Sequence, residues 1–480
     1  MRAIFSKLEK NNAVKTPKAA LQWLRAFLNS YIFYAMEFLL ALSFILGYAE
    51  VEGVLVFAAL ISLILVVCDD ITPTTMPFLL VCALATNCYD SFDTFIKFAP
   101  FAPLIIACVL FHFIYYRKPY TVGESVKGII AVSIALLVGG IGKYTLMDYA
   151  KGAYYVLGLG VGMIFAYLVM KSEFSSRARD YDIKERFSVI MLIWAAFSIC
   201  IMVIGEYRLE KYGAAFLKIY HLPFSQNNIA TFLMFAMPFP LYLSKKHWLW
   251  AIFTPVILWG LFYSGSRGGI LFGCIEFCAC VAYWIYLGKD NKNRKIRGCI
   301  VGGVALIGLI FCVVYWQGIV AKIDDIFHFS NFRSEIRYQM LLEGFENFRE
   351  NPLVGTGILD DSIAYGAVNK KGTMTWYHMM TAQVMGSMGL VGVATYVFQF
   401  LGRVELIFTK KTAWSLCLGL SYLGILGMSQ VNPGEFCPIP FELLTVLLFI
   451  FQEERFESKP LVLKDFLKRK NKETTGAGMR

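Results

Sequence analysis

Three groups of residues in this 480-residue chain have types and spacings suited to chemistry. His378 stands in Trp376-Tyr377-His378-Met379-Met380, at the mouth of an apolar run and directly after a polar loop. Histidine titrates near neutrality, so it serves as a general base or as a hydrogen-bond anchor for a hydroxyl. Arg333 and Arg337 lie one helical turn apart in the preceding loop. Asn331 or Ser330 can cap a helix there, and Asn351-Pro352 ends it. At about 3.6 residues per turn, Ile336, Met340, Leu341, Gly344 and Phe348 form an apolar stripe on which both arginines fall. A guanidinium pointing into protein needs an anion. That anion is either a ligand phosphate or one of Asp324, Asp325 and Asp360. The third group is Ser264-Gly265-Ser266-Arg267-Gly268-Gly269. Its small residues let a ligand approach backbone N–H groups. Arg267 then opens a helix whose N-terminus adds partial positive charge, which together make an anion site. The ordinary alternative is an interfacial arginine that reaches toward lipid headgroups.

These groups must be held by membrane-embedded elements. The chain is 58% hydrophobic and 16% charged, against about 25% charged in a soluble domain. The expected fold class is all-α, a polytopic integral membrane protein with about 12–14 transmembrane helices and one long extracytoplasmic loop. Fourteen spans are expected, from Tyr31 to Phe451, including 75–89, 99–116, 126–142, 153–170, 226–244, 248–264, 268–287, 378–401, 412–428 and 438–453. The organisation is then a cytoplasmic basic N-terminal segment at 1–30, helices 1–11 over 31–316, an extracytoplasmic active-site loop at 317–377, helices 12–14 over 378–453 and a cytoplasmic basic tail at 454–480. Loops this long without an evident fold of their own are usually either functional or disordered, and the arginines and histidine in and beside this one favour function.

Charge orients the chain. With the N-terminus inside, inner segments hold about 32 of the 45 Lys and Arg, and cytoplasmic loops are the ones enriched in these residues. The net charge of +11 thus reflects topology and attraction to anionic lipid rather than nucleic-acid binding. The basic residues left outside, among them Arg208, Arg267, Arg333 and Arg337, point to an anionic ligand on that face. Escape of long loops from the charge rule is the alternative.

Other classes of chemistry find little support. Most of the 12 cysteines lie within apolar spans, where Cys packs as a small apolar residue. Cys274, Cys278 and Cys280 share one helix with no histidine or carboxylate array around them, so packing rather than a metal site is expected. Cys88 and Cys437 both lie near the outer surface, where pairing is open. No phosphate-binding glycine loop, dinucleotide fingerprint or zinc-protease pattern is present. Glu37 and Glu276 fall within spans, Glu276 about 13 Å below Arg267 along one helix. Each is read as a satisfied interhelical group, with a proton relay as the alternative.

The spacing of His378, Gln383, Gly389 and Gly392 resembles the His-Asn-x-x-Leu-Gln…Gly-x-x-Gly pattern of the O-antigen ligase and O-antigen polymerase superfamily. Arg337 through Asn351-Pro352-Leu353-Val354-Gly355-Thr356-Gly357 resembles that family's Arg…His-Pro-Leu-Leu-Gly-x-Gly block. Ser264 to Gly269 resembles its Ser-Arg-Gly-Ala turn, and Gln226-Asn227-Asn228 a polar cluster opening an earlier span. The four stand in the family's order over roughly 220–400. Met379 replaces the family's Asn, Ala382 its Leu and Ser387 a usual acidic residue.

The resemblance implies a surface-polysaccharide glycosyltransferase at the outer face of the bacterial plasma membrane. Its donor would be an oligosaccharide on undecaprenyl diphosphate, its acceptor a sugar hydroxyl on a glycan or lipid. Arg267 and Arg337 would hold the departing diphosphate and His378 would activate or orient the hydroxyl. Arg333, Arg208, Gln226, Asn228 and Ser266 would contact substrate. The scheme needs no cofactor, metal or nucleic acid. The span count leans toward a polymerase over a ligase. A transporter or flippase of an anionic lipid-linked substrate is the alternative. Transporters usually show internal repeats and helices broken near the midplane, and no half-to-half similarity is evident in the sequence.

Overall fold

The computed structural model describes residues 17–86, 101–116, 121–139, 156–175, 181–219, 226–288, 290–317, 320, 336–358 and 377–454. Arg333, Cys88 and the loop residues 359–376 lie outside them, and the Arg337 side chain is likewise not described. The protein is all-α. Hydrocarbon offers no partner for backbone N–H and C=O groups, so a spanning segment must satisfy them internally.

Four described helices are long and apolar enough to cross a membrane: Glu50–Val67, Ile183–Gly213, Arg267–Tyr286 and Met380–Lys410. A fifth arises if Ala20–Leu28 and Tyr31–Leu46, bent by 64°, count as one span. Shorter apolar helices at Thr72–Ala85, Pro103–Tyr116, Ser125–Val138, Trp248–Tyr263 and Ala413–Met428 occupy further expected positions. The protein is therefore a multi-pass membrane protein.

Several expected spans are not continuous helices, and each break has a cause. The 226–244 span divides into Gln226–Ala236 and Phe239–Leu243, because Pro238 and Pro240 cannot donate to the preceding turn. The 438–453 span begins with irregular backbone at Pro438–Glu442 and becomes α-helical only over Leu443–Glu453. The 153–170 span opens on a π-helical turn at Gly158–Gly162 before the Met163–Ser175 helix. The basic lead-in also carries a helix, Pro17–Leu28. Its Arg25 donates to the Val67 carbonyl at 2.8 Å, tying it to the end of the Glu50–Val67 helix.

An aromatic core fixes the helices that later carry the site. Trp194 meets Phe232 at a tilt with ring centroids 4.5 Å apart, and Phe187 meets Phe451 edge-on at 4.8 Å. Phe239 and Trp414 are 6.0 Å apart. These rings come from the Ile183–Ile219, Gln226–Ala236, Phe239–Leu243, Ala413–Met428 and Leu443–Glu453 helices. Edge-to-face and offset contacts of this kind add about 0.5–1.5 kcal/mol per pair beyond area burial.

Glu37 and Glu276 are buried, and neither carboxyl has a hydrogen-bond partner among the described residues. The expectation that they are satisfied interhelical groups is corrected. Glu276 packs directly on Gly424 of the Ala413–Met428 helix, where only a glycine leaves room for the carboxyl.

Candidate active site

The Ser264–Gly269 turn is built around two serine hydroxyls. Ser264 Oγ accepts from the Ser266 N–H at 3.2 Å, and Ser266 Oγ accepts from the Gly269 N–H at 3.1 Å. Ser266 is thus the N-cap of the Arg267–Tyr286 helix. This leaves Arg267 as the first helical residue, partly buried at the positive end of a twenty-residue helix. The capping hydroxyl also donates to Asn227 Oδ1 at 2.8 Å. One hydrogen bond therefore joins the serine–arginine turn to the polar start of the Gln226–Ala236 helix, where Gln226 is exposed and Asn228 partly buried.

His378 lies two residues before the Met380–Lys410 helix. Its backbone is left-handed, with φ 48°, a conformation that costs a non-glycine residue roughly 1–2 kcal/mol. Met379 is the N-cap and its side chain caps nothing. Where the resembling family has Asn, a good capping residue, this chain supplies a carbonyl from elsewhere. The Met380 N–H donates to Ser429 O at 2.7 Å.

Ser429 belongs to a turn, Ser429-Gln430-Val431-Asn432, that the sequence did not single out. It touches three of the motifs at once. Thr381 Oγ1 donates to Gln430 Oε1 at 2.6 Å, and Asn432 Nδ2 donates to Asn228 Oδ1 at 3.0 Å. Val431 packs on Gly268 so closely that any side chain there would collide with it. The turn is pinned from below. Glu435 N–H donates to Ser429 Oγ at 3.0 Å, and the Glu435 and Glu442 carboxylates each meet Arg403 at 2.7 Å. Irregular backbone at membrane depth is tolerated only when buried in protein or lining a cavity, and these ion pairs bury it.

The Pro352–Gly357 block has a different role from the one its loop position suggested. The Met380–Lys410 helix is broken at Gly389, with φ 59° and ψ −151°, a region open essentially only to glycine. Pro352–Gly357 straps across the break. Leu390 and Val391 N–H donate to Pro352 and Leu353 carbonyls at 2.8 and 3.1 Å, while Thr356 and Gly357 N–H donate to Gly386 and Ser387 carbonyls at 2.9 and 2.8 Å. The strap thus takes up backbone groups that the break sets free. A Cβ on Gly389 would lie 2.6 Å from the Leu353 carbonyl carbon and 2.7 Å from the Gly355 nitrogen. Gly389→Ala is therefore expected to cost about 2–4 kcal/mol from backbone strain and overpacking combined. A marked fall in thermal stability of the detergent-purified protein checks this; an unchanged transition would contradict it.

The strap follows the Ile336–Glu350 helix, which carries Arg337 in its first turn. Met340 and Gly344 of the expected apolar stripe are buried, and Gly344 lies against Ala382. Asn347 Nδ2 donates to the Tyr377 hydroxyl at 2.8 Å. The Arg337 helix is thereby fastened to the residue beside His378.

Arg208 is placed differently. Its Nη1 pairs with Glu50 Oε1 at 3.1 Å, its Nη2 donates to the Ile45 carbonyl, and its guanidinium lies 3.9 Å from the Tyr48 ring centroid. Glu50, Ile45 and Tyr48 account for the guanidinium as an interhelical tie. Nothing in sequence linked Arg208 to a carboxylate 158 residues away.

The structure therefore gathers Gln226-Asn227-Asn228, Ser266-Arg267 and the start of the helix that follows His378 around one turn, while the Pro352–Gly357 strap packs further along that same helix. The arrangement offers a guanidinium on a helix N-terminus for an anion and an imidazole for a hydroxyl proton. No curated protein matches the chain. Residues 252–397 match the O-antigen ligase family. Over that stretch, which holds the serine–arginine turn, the strap and His378, the chain is similar to the O-antigen ligase family.

Proposed function

We propose that the protein is a surface-polysaccharide glycosyltransferase of O-antigen polymerase or ligase type. It transfers an oligosaccharide from undecaprenyl diphosphate to a sugar hydroxyl at the outer face of the bacterial plasma membrane. Support comes chiefly from the single turn at Ser429–Asn432, which joins the polar cluster, the Arg267 helix and the His378 segment. In the reaction the acceptor oxygen attacks the anomeric carbon and its proton goes to His378, or is oriented by it. The bond from that carbon to the phosphate oxygen breaks, and the electron pair leaves on undecaprenyl diphosphate. Arg267 and Arg337, with Arg333 assisting, hold the charge that develops there. Gln226 and Asn228 line the approach, while the buried Ser266, its hydroxyl held by Gly269 and Asn227, shapes the turn rather than contacting substrate as expected from sequence.

Purified protein in detergent, given lipid-linked glycan, should release undecaprenyl diphosphate and lengthen or transfer the glycan. A ladder of products marks a polymerase and a single transfer marks a ligase. Transport needs two compartments and glycosyl transfer does not, so a preparation that turns over nothing in detergent but moves substrate across vesicles would replace this reading. The broken helix at Gly389 does not favour transport, because the strap already occupies its freed backbone groups.

The orientation has its own test. Single cysteines at Lys370 or Lys371, in a background lacking Cys88 and Cys437, should react with an impermeant thiol reagent in intact cells. Labelling only after lysis would put the loop, and the site with it, on the wrong face.

A further inference from the structure

His378 sits in a conformation that it does not prefer, so something must hold it there. We propose that Gln383 is the positioning residue for His378, acting through the backbone of Tyr377; this rests on His378 as the group that handles the acceptor proton. Gln383 is buried one turn into the Met380–Lys410 helix. Its Oε1 accepts from the Tyr377 N–H at 3.1 Å, and its Nε2 donates to Ser387 Oγ at 2.8 Å. The backbone N–H can only donate, which fixes which end of the amide faces which partner. Both ends of the side chain are thus engaged.

The contacts on either side complete a clamp. Tyr377 is fully buried and its hydroxyl accepts from Asn347. Beyond His378, the Met380 N–H is taken by Ser429. Ser387 in turn accepts the Gly357 N–H from the strap. A continuous path runs from the strap to Ser387, to Gln383, to Tyr377 and to the left-handed residue itself. With Gln383 removed, Tyr377 loses its backbone acceptor. His378 can then relax toward the commoner negative-φ regions, which carries the ring away from its working direction.

Gln383→Leu keeps bulk and removes both contacts. It should lower kcat for glycan transfer by on the order of tenfold to a hundredfold, the scale of an ångström-level misplacement, with KM for the lipid-linked donor within about twofold. Gln383→Glu should retain most of the turnover, because a carboxylate accepts from both the Tyr377 N–H and a rotated Ser387 hydroxyl. The pair His378→Ala/Gln383→Leu should be no slower than His378→Ala alone, since a positioning residue has nothing left to position. A second readout is independent of turnover: diethyl pyrocarbonate should modify His378 at a different rate in Gln383→Leu than in the unmodified protein. If Gln383→Leu fails to fold, Ser387→Ala, which frees one end of the amide, should show the same kcat loss in weaker form. Wild-type kcat in the folded Gln383→Leu or Ser387→Ala variant, beside an inactive His378→Ala, overturns the positioning role alone. A further loss in the double variant overturns it as well. An active His378→Ala overturns the reading beneath it.

Discussion

His378→Ala is expected to abolish glycan transfer while leaving the protein folded and able to bind donor. The imidazole stands on backbone held on both flanks, by Gln383 at the Tyr377 N–H and by Ser429 at the Met380 N–H. Its removal should therefore take away chemistry without loosening the structure. The expected rate loss is on the order of a hundredfold or more, as for other general acid–base groups. Donor binding should persist because the arginines proposed to hold diphosphate lie on other elements. His221 and His328 serve as controls, since neither falls in a motif. Near-normal turnover in His378→Ala, with loss in His221→Ala or His328→Ala, would move the site to another loop.

Arg267 carries the second large effect. It is the first residue of a helix whose N-cap hydroxyl is already spent on Gly269 and Asn227. On the proposed function a departing diphosphate would meet both an arginine and a helix N-terminus at this turn. Arg267→Ala should cost about a hundredfold to a thousandfold in kcat, the range for losing one preorganised charge-stabilising donor. Arg267→Lys keeps the charge but loses the planar fork, so substantial activity should still disappear. Arg337, in the first turn of the helix fastened to Tyr377, should behave alike. Full activity in both the Lys and Ala variants, at normal protein levels, would reduce these arginines to interfacial or structural groups.

The sequence carried some of this arrangement and hid the rest for definable reasons. An apolar run preceded by His378 announces a helix start, and the chain does enter its helix at Met380. The left-handed backbone at His378 leaves no trace, because no glycine or asparagine marks it. Gly389 takes its place in the Gly-x-x-Gly spacing, but within an apolar helical run nothing marks it as a break. Only the three-dimensional strap reveals it as a break. Arg208 looked like a ligand group because it lay on the side that should lack basic residues. Its carboxylate partner comes from the start of another helix, and such long-range pairs have no local signature. The turn at Ser429–Asn432 was missed because it is short and follows an apolar helix. Its one available signal was the Asn432-Pro433-Gly434 stop just after Gln430.

That turn has a consequence for biogenesis. The reactive centre draws on residues as far apart as Asn227 and Asn432, and its junction is the last of these to be translated. A ribosome-bound chain that has inserted residues up to about 400 already holds the strap and the broken helix. It lacks Ser429 to close the helix start and Asn432 to meet Asn228. At roughly 5–20 residues per second, the interval before the junction arrives is short. During that time the incompletely synthesised chain lacks the carbonyl that holds the helix start after His378. On the proposed function, the order of translation would make activity wait for residues 429–432, so that the membrane receives the bundle before it receives a complete site.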